Sequence, residues 1–430
     1  MKKISITALC VFLLGCELSK DSKKNPVNTN QTVDITALLA RETEIVNKLP
    51  KSSNSLAFDI YKDLSSEKNI TFSPLSISLA LAMTYAGSRA DTETAMKKVL
   101  YYGDNNLDFH KSYGEFANLL ACKDRSTNNT VFKISNGLWI EDKYSVLDNF
   151  KNILADGYKA EVSLLDFANN PSQSTEAINS AVATQTNGEI DKLLKQDLDP
   201  STRLVLTNAL YFKSNWEEPF EASNTSDGNF TKSDNSNYIT KFMSKTDKYF
   251  YGEDEQKQYL LMPYKDSEFA ALFVLPKKDQ LKAVQDNFDE KSYNAMLNNL
   301  SEKKVHVWLP KFSQRTSPNI KDLLTKRGLG VLFDAEKANL KGINNNSHGE
   351  NNLYVDDIIH EAVVKIYEEG TTAAAATAVA IAVGSAMPVR QPEEIINFHA
   401  ERPFLFNIIH KPTNTILFMG RVDEPQAQAL

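Results

Sequence analysis

Histidine, cysteine and serine are the residues through which this 430-residue chain could carry out metal or nucleophilic chemistry. The six histidines are scattered, at positions 110, 306, 348, 360, 399 and 410, and His360-Glu361 lacks the second histidine, four residues on, that a zinc-binding helix needs. The sequence also lacks a Gly-x-Ser-x-Gly elbow, a glycine-rich phosphate loop and a paired-cysteine metal motif. We therefore predict no enzyme activity, no metal and no cofactor, with a hydrolase built on a scattered triad as an alternative.

The N-terminus has the pattern of a lipoprotein signal. Lys2 and Lys3 precede a mostly apolar run over 4–14, which is too short to span a bilayer and has the length of a signal-peptide core. The run ends in Leu-Leu-Gly-Cys, a pattern typical of the bacterial lipobox, in which Cys16 is acylated and becomes the new N-terminus. We predict a lipoprotein signal peptide at 1–15 and a flexible, lipid-anchored tether at 16–40. An ordinary secretory signal with an incidental Cys16 is the alternative. Only Cys122 then remains in the mature chain, so no internal disulfide is expected.

An uncharged stretch of Ala and Thr runs from Thr371 to Val389. Gly384 and Pro388 interrupt it, which argues against a membrane span, while a buried alanine helix and a loop remain as interpretations. Read with a period of two, the odd positions 371 to 381 are Thr, Ala, Ala, Thr, Val and Ile, and the even positions 372 to 382 are Thr followed by five Ala. As a strand, the segment would present one face fit for a core and one flat, small face. The pattern suits a loop that is exposed first and becomes a strand later.

The elements that must position these residues indicate an α+β fold. Hydrophobic residues make up 42% of the chain and charged residues 24%, which excludes a disordered protein, and the formal net charge of −7 argues against nucleic acid as a partner. Helical spacing comes early, over Ser76–Leu100 and Glu176–Leu194, with Ser174 and Thr175 as candidate N-caps. Strand-like runs come late. The predicted strands are Arg203–Phe212, Tyr259–Met262, Ala270–Leu275, Lys304–Leu309, Phe404–His410 and Thr415–Phe418.

Six segments, in order along the chain, resemble the serpin family. They are Asn69–Ser78, Thr207–Trp216, Val305–Phe312, Leu353–Ala376, Phe398–Phe404 and Phe418–Val422. The resemblance extends from about Arg41 to the C-terminus, so we predict one serpin domain over 41–430. It implies large, mostly antiparallel sheets, a cluster of helices and an exposed reactive loop at about 370–397.

The resemblance also implies an inhibitor that works as a suicide substrate. A serine protease attacks the exposed loop and forms an acyl-enzyme. The cleaved loop then inserts as a new central strand, and roughly 15 inserted residues at ~3.3 Å each carry the protease ~50 Å along the sheet before water completes deacylation. By family comparison, Thr or Ser at position 371 followed by small residues marks inhibitors. The alternative is a non-inhibitory serpin that acts as a binding or carrier protein.

The resemblance assigns two groups of residues to this mechanism. The expected hinge consists of Glu368, Glu369, Gly370, Thr371, Thr372, Ala373, Ala374, Ala375 and Ala376. The residues expected to control opening of the sheet are Ser73, Ser76, Asn208, Trp216 and His360, for which plain fold stability is the alternative role.

The distance from Glu368 that is usual in the serpin family places the cleaved bond between Gly384 and Ser385. The stretch from Gly384 to Pro403 is longer than in most relatives, so alternative positions for the cleaved bond stay open. They are Val383, Ala386 and Arg390. Small residues favour an elastase-like or subtilisin-like enzyme, whereas Arg390 would suit a trypsin-like one. We expect a monomer whose partners are a serine protease, or also a cysteine protease, and a bacterial membrane. The lipid would hold it on an extracytoplasmic face, at the cell surface or on the periplasmic side.

Overall fold

The helices of this protein lie mostly in the first half of the chain. The computed structural model describes residues 45–122, 130–345, 352–371 and 394–426. The α-helices are α1 (Ile45–Leu64), α2 (Pro74–Tyr85), α3 (Ala90–Val99), α4 (Leu107–Cys122), α5 (Asp148–Tyr158), α6 (Pro171–Gln185), α7 (Leu281–Asp286), α8 (Glu290–Asn298) and α9 (Ile320–Leu324). Within the described ranges, no helix is both long enough and apolar enough to cross a membrane.

The strands form two sheets that are antiparallel in most of their pairings. The strands are β1 (Ile70–Phe72), β2 (Val131–Glu141), β3 (Ser163–Leu165), β4 (Leu204–Asn215), β5 (Ser226–Thr231), β6 (Asn237–Glu253), β7 (Lys257–Pro263), β8 (Phe269–Pro276), β9 (Ser301–Pro310), β10 (Phe312–Thr316), β11 (Asp357–Ile366), β12 (Gly370–Thr371), β13 (Ile396–His399), β14 (Phe404–His410) and β15 (Thr415–Val422). Most helices precede most strands along the chain, and the sheets are mixed, which confirms the predicted α+β class.

The six-stranded sheet, which we call the central sheet, has the order β10-β11-β12-β4-β2-β3. Its middle is unusual because β11 also pairs directly with β4, in parallel, where β12 does not reach between them. The other sheet has the order β1-β15-β14-β8-β7-β6-β9-β13, with β5 on β6. The main core lies between the sheets, where Phe132 and Phe212 of the central sheet contact Phe269 of β8 at ring-centroid distances of 6.0 and 5.3 Å.

Helix α2 begins at a Ser-Pro pair and lies wholly in the core. The Ser73 side chain accepts a hydrogen bond from the Ser76 backbone N–H and Pro74 occupies the first turn, as expected for a capped start. The helical spacing predicted over 76–100 corresponds to two helices, because α2 ends at Tyr85 and α3 starts at Ala90. A Cβ on Gly87 would lie 2.1 Å from the side chain of Ile343, so this break is where another segment packs directly on the backbone.

Helix α6 covers the outer face of the central sheet. It begins at Pro171, earlier than predicted, and ends at Gln185, well before the predicted end at Leu194, because Asn187 and Gly188 adopt positive φ angles of 55° and 81° that stop the helix. Ile178 packs with Trp139 of β2, while Val182 packs with other residues of the central sheet. The sheet is therefore buried on both faces, by the core on one side and α6 on the other.

The late strands lie close to where the sequence predicts them. β14 has the predicted bounds, and β7, β8 and β9 extend the predicted runs by one to three residues at an end. β4 continues to Asn215 and β15 to Val422, beyond the predicted ends at Phe212 and Phe418. Strands β4, β8, β14 and β15 are buried along nearly their whole length, which explains why runs of β-branched and aromatic residues predict them well. Strand β9 is exposed at its first residues and alternates between buried and half-buried positions further on.

Candidate functional site

The candidate site is the seam between β4 and β11 in the central sheet. In its lower part the two strands pair directly, from Val205 with Asp357 to Leu210 with Ala362. At its upper end the two residues of β12 lie between them: Gly370 pairs with Asn215, and Thr371 pairs with Ser214 on one side and Ile366 on the other. We call the upper end of the seam open, because β12 parts the two strands there, and the lower part closed, because β4 and β11 pair directly.

Gly370 is the residue that lets the chain turn into the seam. Its φ of +150° is a conformation that L side chains rarely adopt. A Cβ at this position would lie 2.1 Å from the Ser214 carbonyl oxygen and 2.6 Å from the Asn215 Cα. Any side chain here would therefore push β12 off β4.

Thr371 is buried at the top of the seam, with 1% of its surface exposed. Its hydroxyl lies 2.5 Å from the hydroxyl of Tyr264. The Tyr264 ring stacks on Trp216 with centroids 4.5 Å apart and an angle of 8° between the planes. Burial raises the pKa of Tyr264 well above its usual value, so its hydroxyl stays protonated and available to Thr371. The Thr371 side chain therefore already points into the core.

Hydrogen bonds to backbone carbonyls hold the three residues just before β12 in place. The Trp216 N–H donates to the Glu369 carbonyl at 2.8 Å, and its indole Nε1–H donates to the Tyr367 carbonyl at 3.0 Å. The Phe220 N–H donates to the Glu368 carbonyl at 2.9 Å. Trp216 thus holds the start of the hinge through both its backbone and its indole.

Glu368 forms the charged contact at the upper end. Its carboxylate lies 2.8 Å from Lys311 Nζ and accepts a hydrogen bond from the Thr225 hydroxyl at 2.8 Å. Burial opposes ionisation, but the Lys311 and Thr225 hydrogen bonds outweigh it and hold the pKa of Glu368 below its usual value. The Lys311 ammonium also lies 5.4 Å from the centre of the Tyr367 ring. The same cation therefore holds both Tyr367 and Glu368 in place.

A buried polar cluster closes the lower part of the seam; we call it the polar row. It consists of Ser73, Ser76, Asn136, Asn208 and His360. The Asn208 carbonyl oxygen accepts from His360 Nδ1 at 2.6 Å and from the Ser76 hydroxyl at 2.7 Å, while its amide donates to Asn136 at 2.5 Å. Three neighbouring strands, β2, β4 and β11, are thereby joined to α2. Every member is buried, so each depends on the others for its hydrogen bonds.

His360 is neutral in this cluster, with its proton on Nδ1. The Ser73 backbone N–H donates to Nε2 at 3.1 Å, so Nε2 must be the unprotonated nitrogen. Burial lowers the pKa of His360 to about 3, because charging the ring would cost its hydration without a counter-ion beside it. The His360–Asn208 hydrogen bond crosses the seam, and any strand that extends this far down between β4 and β11 must break it.

Some predicted residues fall outside the described ranges. They are Cys16, Thr372, Ala373, Ala374, Ala375, Ala376, Val383, Gly384, Ser385, Ala386 and Arg390. The predicted loop span of 370–397 also overlaps strands at both ends, because Gly370 and Thr371 form β12 and the chain rejoins a sheet in β13 at Ile396.

Sequence reasoning missed three important side chains of the site. Tyr264 pairs with Thr371 across 107 residues and Lys311 pairs with Glu368 across 57, and neither pairing leaves a local signal. Asn136 could have been noticed, because it is an amide that follows Ser135 in the middle of a run that begins and ends with Ile134 and Ile140.

Comparison with known proteins assigns the family. Residues 51–425 match the family described as Serpin (serine protease inhibitor). The chain is 35% identical to an uncharacterized serpin-like protein of Thermococcus kodakarensis, over 98% of each chain. It is 32% identical to the leukocyte elastase inhibitor of Xenopus laevis, over 88% of this chain and 100% of the relative. The structure of human thyroxine-binding globulin complexed with thyroxine is similar with a TM-score of 0.78 and 28% identity, over 89% of this chain and 100% of the other. The chain belongs to the serpin family and has the serpin fold.

Proposed function

We propose that this serpin is a suicide-substrate inhibitor of serine proteases of the elastase-like or subtilisin-like kind. The observation that carries the proposal is β12: Gly370 and Thr371 of the hinge already lie between β4 and β11, antiparallel to both. The likeness to the leukocyte elastase inhibitor supports the same class of target. The uncharged sequence after Thr371 supports insertion of the cleaved loop, since no charge has to be buried.

The registers on the two sides of β12 define where an inserted strand would lie. Positions 371 and 214 pair, as do 371 and 366, and each step down the loop moves one step down both strands. Continued in this way, position 377 comes to lie beside both Asn208 and His360, which are themselves partners now. The two registers agree on this position, so one added strand fits the seam without a bulge.

The alternating loop pattern matches the two faces of the central sheet. Thr371 points toward Tyr264 on the core side, so the odd positions through Ile381 would face the core. The even positions, which are Ala from 374 to 382, would face α6. Ala376 would lie beside Ala209, which packs against Val182 and Leu193, where little space is left for a larger side chain.

Inhibition would follow from an incomplete hydrolysis. The protease serine oxygen attacks the carbonyl carbon of Gly384, the Gly384–Ser385 bond breaks, and the amine of Ser385 leaves with the proton supplied by the protease. The ester carbonyl is then about 13 residues beyond Thr371, or ~43 Å along a strand at ~3.3 Å per residue. Insertion would move the attached protease by this distance, and inhibition requires that this happens before water attacks the ester.

The test is incubation of the chain lacking residues 1–16 with elastase, subtilisin, trypsin and a cysteine protease, read on denaturing gels. A boiling-resistant band near the summed mass of inhibitor and elastase or subtilisin is expected, with a released peptide that begins at Ser385. Loop cleavage without such a band for every enzyme would overturn the proposal.

The carrier function is the second candidate, and it rests on the likeness to a thyroxine-binding globulin structure. The small residues that follow Thr371 favour the inhibitor instead. Cleavage of the loop separates the two, because an inserted strand should raise the melting temperature sharply, whereas a carrier that does not insert its loop should show no such rise.

We further propose that Cys16 carries the lipid that anchors the chain on an extracytoplasmic face of a bacterial membrane, as the lipobox pattern suggests. Growth of expressing cells with an alkyne-labelled fatty acid should label the wild-type chain, and Cys16→Ser should abolish the label. Equal labelling of the variant would contradict the assignment.

A further inference from the structure

Two histidines meet at the edge of the nine-stranded sheet. His306 lies on β9 and His399 lies on β13, the edge strand in which the chain returns after the reactive-loop region. His306 Nδ1 and His399 Nε2 are 2.8 Å apart, and the ring centroids are 5.0 Å apart with 79° between the planes. Both side chains are half-buried, so water and ions can reach them.

A hydroxyl on a third strand completes the arrangement. Ser244 of β6 has its Oγ 3.1 Å from Nε2 of His306. When the Nε2–H of His306 donates to this hydroxyl, the lone pair of Nδ1 faces His399. A partner that fixes the tautomer of a histidine in this way is typical of metal-ligating histidines.

We propose that His306 and His399 form a binding site for a divalent transition metal ion such as Zn²⁺, with Ser244 orienting His306. The described residues offer no third histidine, cysteine or carboxylate whose ligand atom lies close to both nitrogens, so water fills the remaining positions. Imidazole suits Zn²⁺, Ni²⁺ and Cu²⁺ and not Mg²⁺ or Ca²⁺, which prefer oxygen ligands.

The pair needs little rearrangement to accept an ion. Two nitrogens bound to one tetrahedral Zn²⁺ at ~2.0–2.1 Å lie roughly 3.4 Å apart, so the rings must separate by roughly 0.6 Å and turn their lone pairs toward the metal. The proton that the two nitrogens share moves through solvent to Nδ1 of His399. Nε2 of His399 is then free to bind the ion, and the site keeps the proton.

The charge state of His399 agrees with this use. Burial and the neighbouring His306 lower the pKa of His399, against a smaller opposing effect of Glu401. His399 is therefore uncharged at neutral pH, as a ligand must be. A bound ion would fasten β13 to β9 through side chains in addition to the backbone pairing of residues 396–399 with 305–308.

Calorimetric titration of Zn²⁺ into the full chain tests the site. We expect saturable binding in the wild type and its loss in His399→Gln and His306→Gln. The amide introduced by His399→Gln can still donate a hydrogen bond to His306, so this variant keeps the contact between the strands and loses only the metal ligand. Ser244→Ala should weaken binding about 10- to 100-fold. Thr246→Ala, which lies opposite His306 on β6, is the matched control and should leave the affinity unchanged.

Zinc binding that persists in both glutamine variants, or no saturable binding by the wild type, would overturn the site. Melting curves in EDTA check that each variant is folded. Where a variant fails to fold, the ring-nitrogen resonances of the wild type decide, since Zn²⁺ should shift those of His306 and His399 together. These readouts follow the metal alone, so they are independent of protease inhibition.

Discussion

At its upper end the seam between β4 and β11 is already parted by Gly370 and Thr371, whereas in its lower part the two strands pair directly. The upper end is held by aromatic stacking, an ion pair and backbone hydrogen bonds from Trp216. The lower part is held by the neutral His360–Asn208 hydrogen bond, which crosses the seam, and by the Ser73 N–H, which donates to His360 from the start of α2. An entering strand can therefore add at the upper end without breaking a strand pairing. Lower down, it must replace the hydrogen bond of the polar row that joins β4 and β11.

This difference suggests how one sheet can be stable now and accept a strand later. The hydrogen bond that the proposed insertion would break, between His360 and Asn208, lies where the hydroxyl of Thr377 would arrive. Under the proposal, His360 and Asn208 would lose each other and gain the Thr377 hydroxyl as a new partner, which would avoid the cost of leaving a buried polar group unsatisfied.

The largest effect is expected from a charge at the open end. Thr371→Arg would have to bury a guanidinium beside Tyr264, so the cleaved loop should fail to insert. Elastase should then cut the loop and leave without a stable complex, which a denaturing gel and the stoichiometry of inhibition report. Thr371→Ser keeps the hydroxyl and should form complex as the wild type does. Full complex formation by the arginine variant would show that insertion does not pass through this position.

The next largest effect is the pH dependence of the free energy of unfolding that His360 causes in the closed part of the seam. Because the pKa of His360 is about 3 in the fold and near 6.5 in the unfolded chain, the unfolded state binds one more proton between these values. The free energy of unfolding should therefore fall as pH drops from 6.5 toward 3, by up to about 4 kcal/mol from this residue. His360→Asn should remove that part of the slope in urea titrations at several pH values.

Ser317→Ala serves as the control, since the Ser317 hydroxyl donates to the backbone carbonyl of His360 and not to its imidazole. It should keep the wild-type slope. An unchanged slope in His360→Asn would mean that other groups account for the acid sensitivity.

A smaller effect is expected at the ion pair of the upper end. Glu368→Gln leaves Lys311 partly buried without its carboxylate, and the free energy of unfolding of the uncleaved form should fall by about 1–3 kcal/mol. Glu369→Gln makes the same change of charge one residue away, where the described residues show no ion pair, and should cost much less. If urea denaturation shows equal losses of unfolding free energy in Glu368→Gln and Glu369→Gln, the ion pair of Glu368 does not stabilise the upper end.

The smallest effect tests the exchange of partners. Thr377→Val keeps the size of the side chain and removes the hydroxyl, so the cleaved, inserted form should lose about 1 kcal/mol while the uncleaved form is unaffected. Thr372→Val, on the opposite face of the inserted strand, is the matched control. A loss in the uncleaved form as large as in the cleaved form would contradict the proposed position of Thr377.

Much of this architecture could be predicted from the sequence, because buried strands need β-branched and aromatic runs and the loop needs small, uncharged residues. The predicted helix boundaries failed for two reasons. Ile343 packs on the backbone at Gly87, in the break between α2 and α3, and the positive φ angles of Asn187 and Gly188 stop α6 early. In the site, Trp216 and His360 stood within recognisable segments. Tyr264 and Lys311 were missed because their roles depend on partners brought together only by the folded sheets.

The central claim is that β4 and β11 separate to admit the loop, and a removable lock between them tests it most directly. Thr207 and Ile359 are register partners on neighbouring strands about 4.8 Å apart, within the reach of a disulfide. Thr207→Cys with Ile359→Cys would be made in a chain that lacks residues 1–16 and carries Cys122→Ser, so that only the new pair of thiols is present. The reduced protein should trap elastase in a boiling-resistant complex, and the oxidised protein should be cleaved without trapping it. Equal trapping by the oxidised protein would contradict insertion between these two strands.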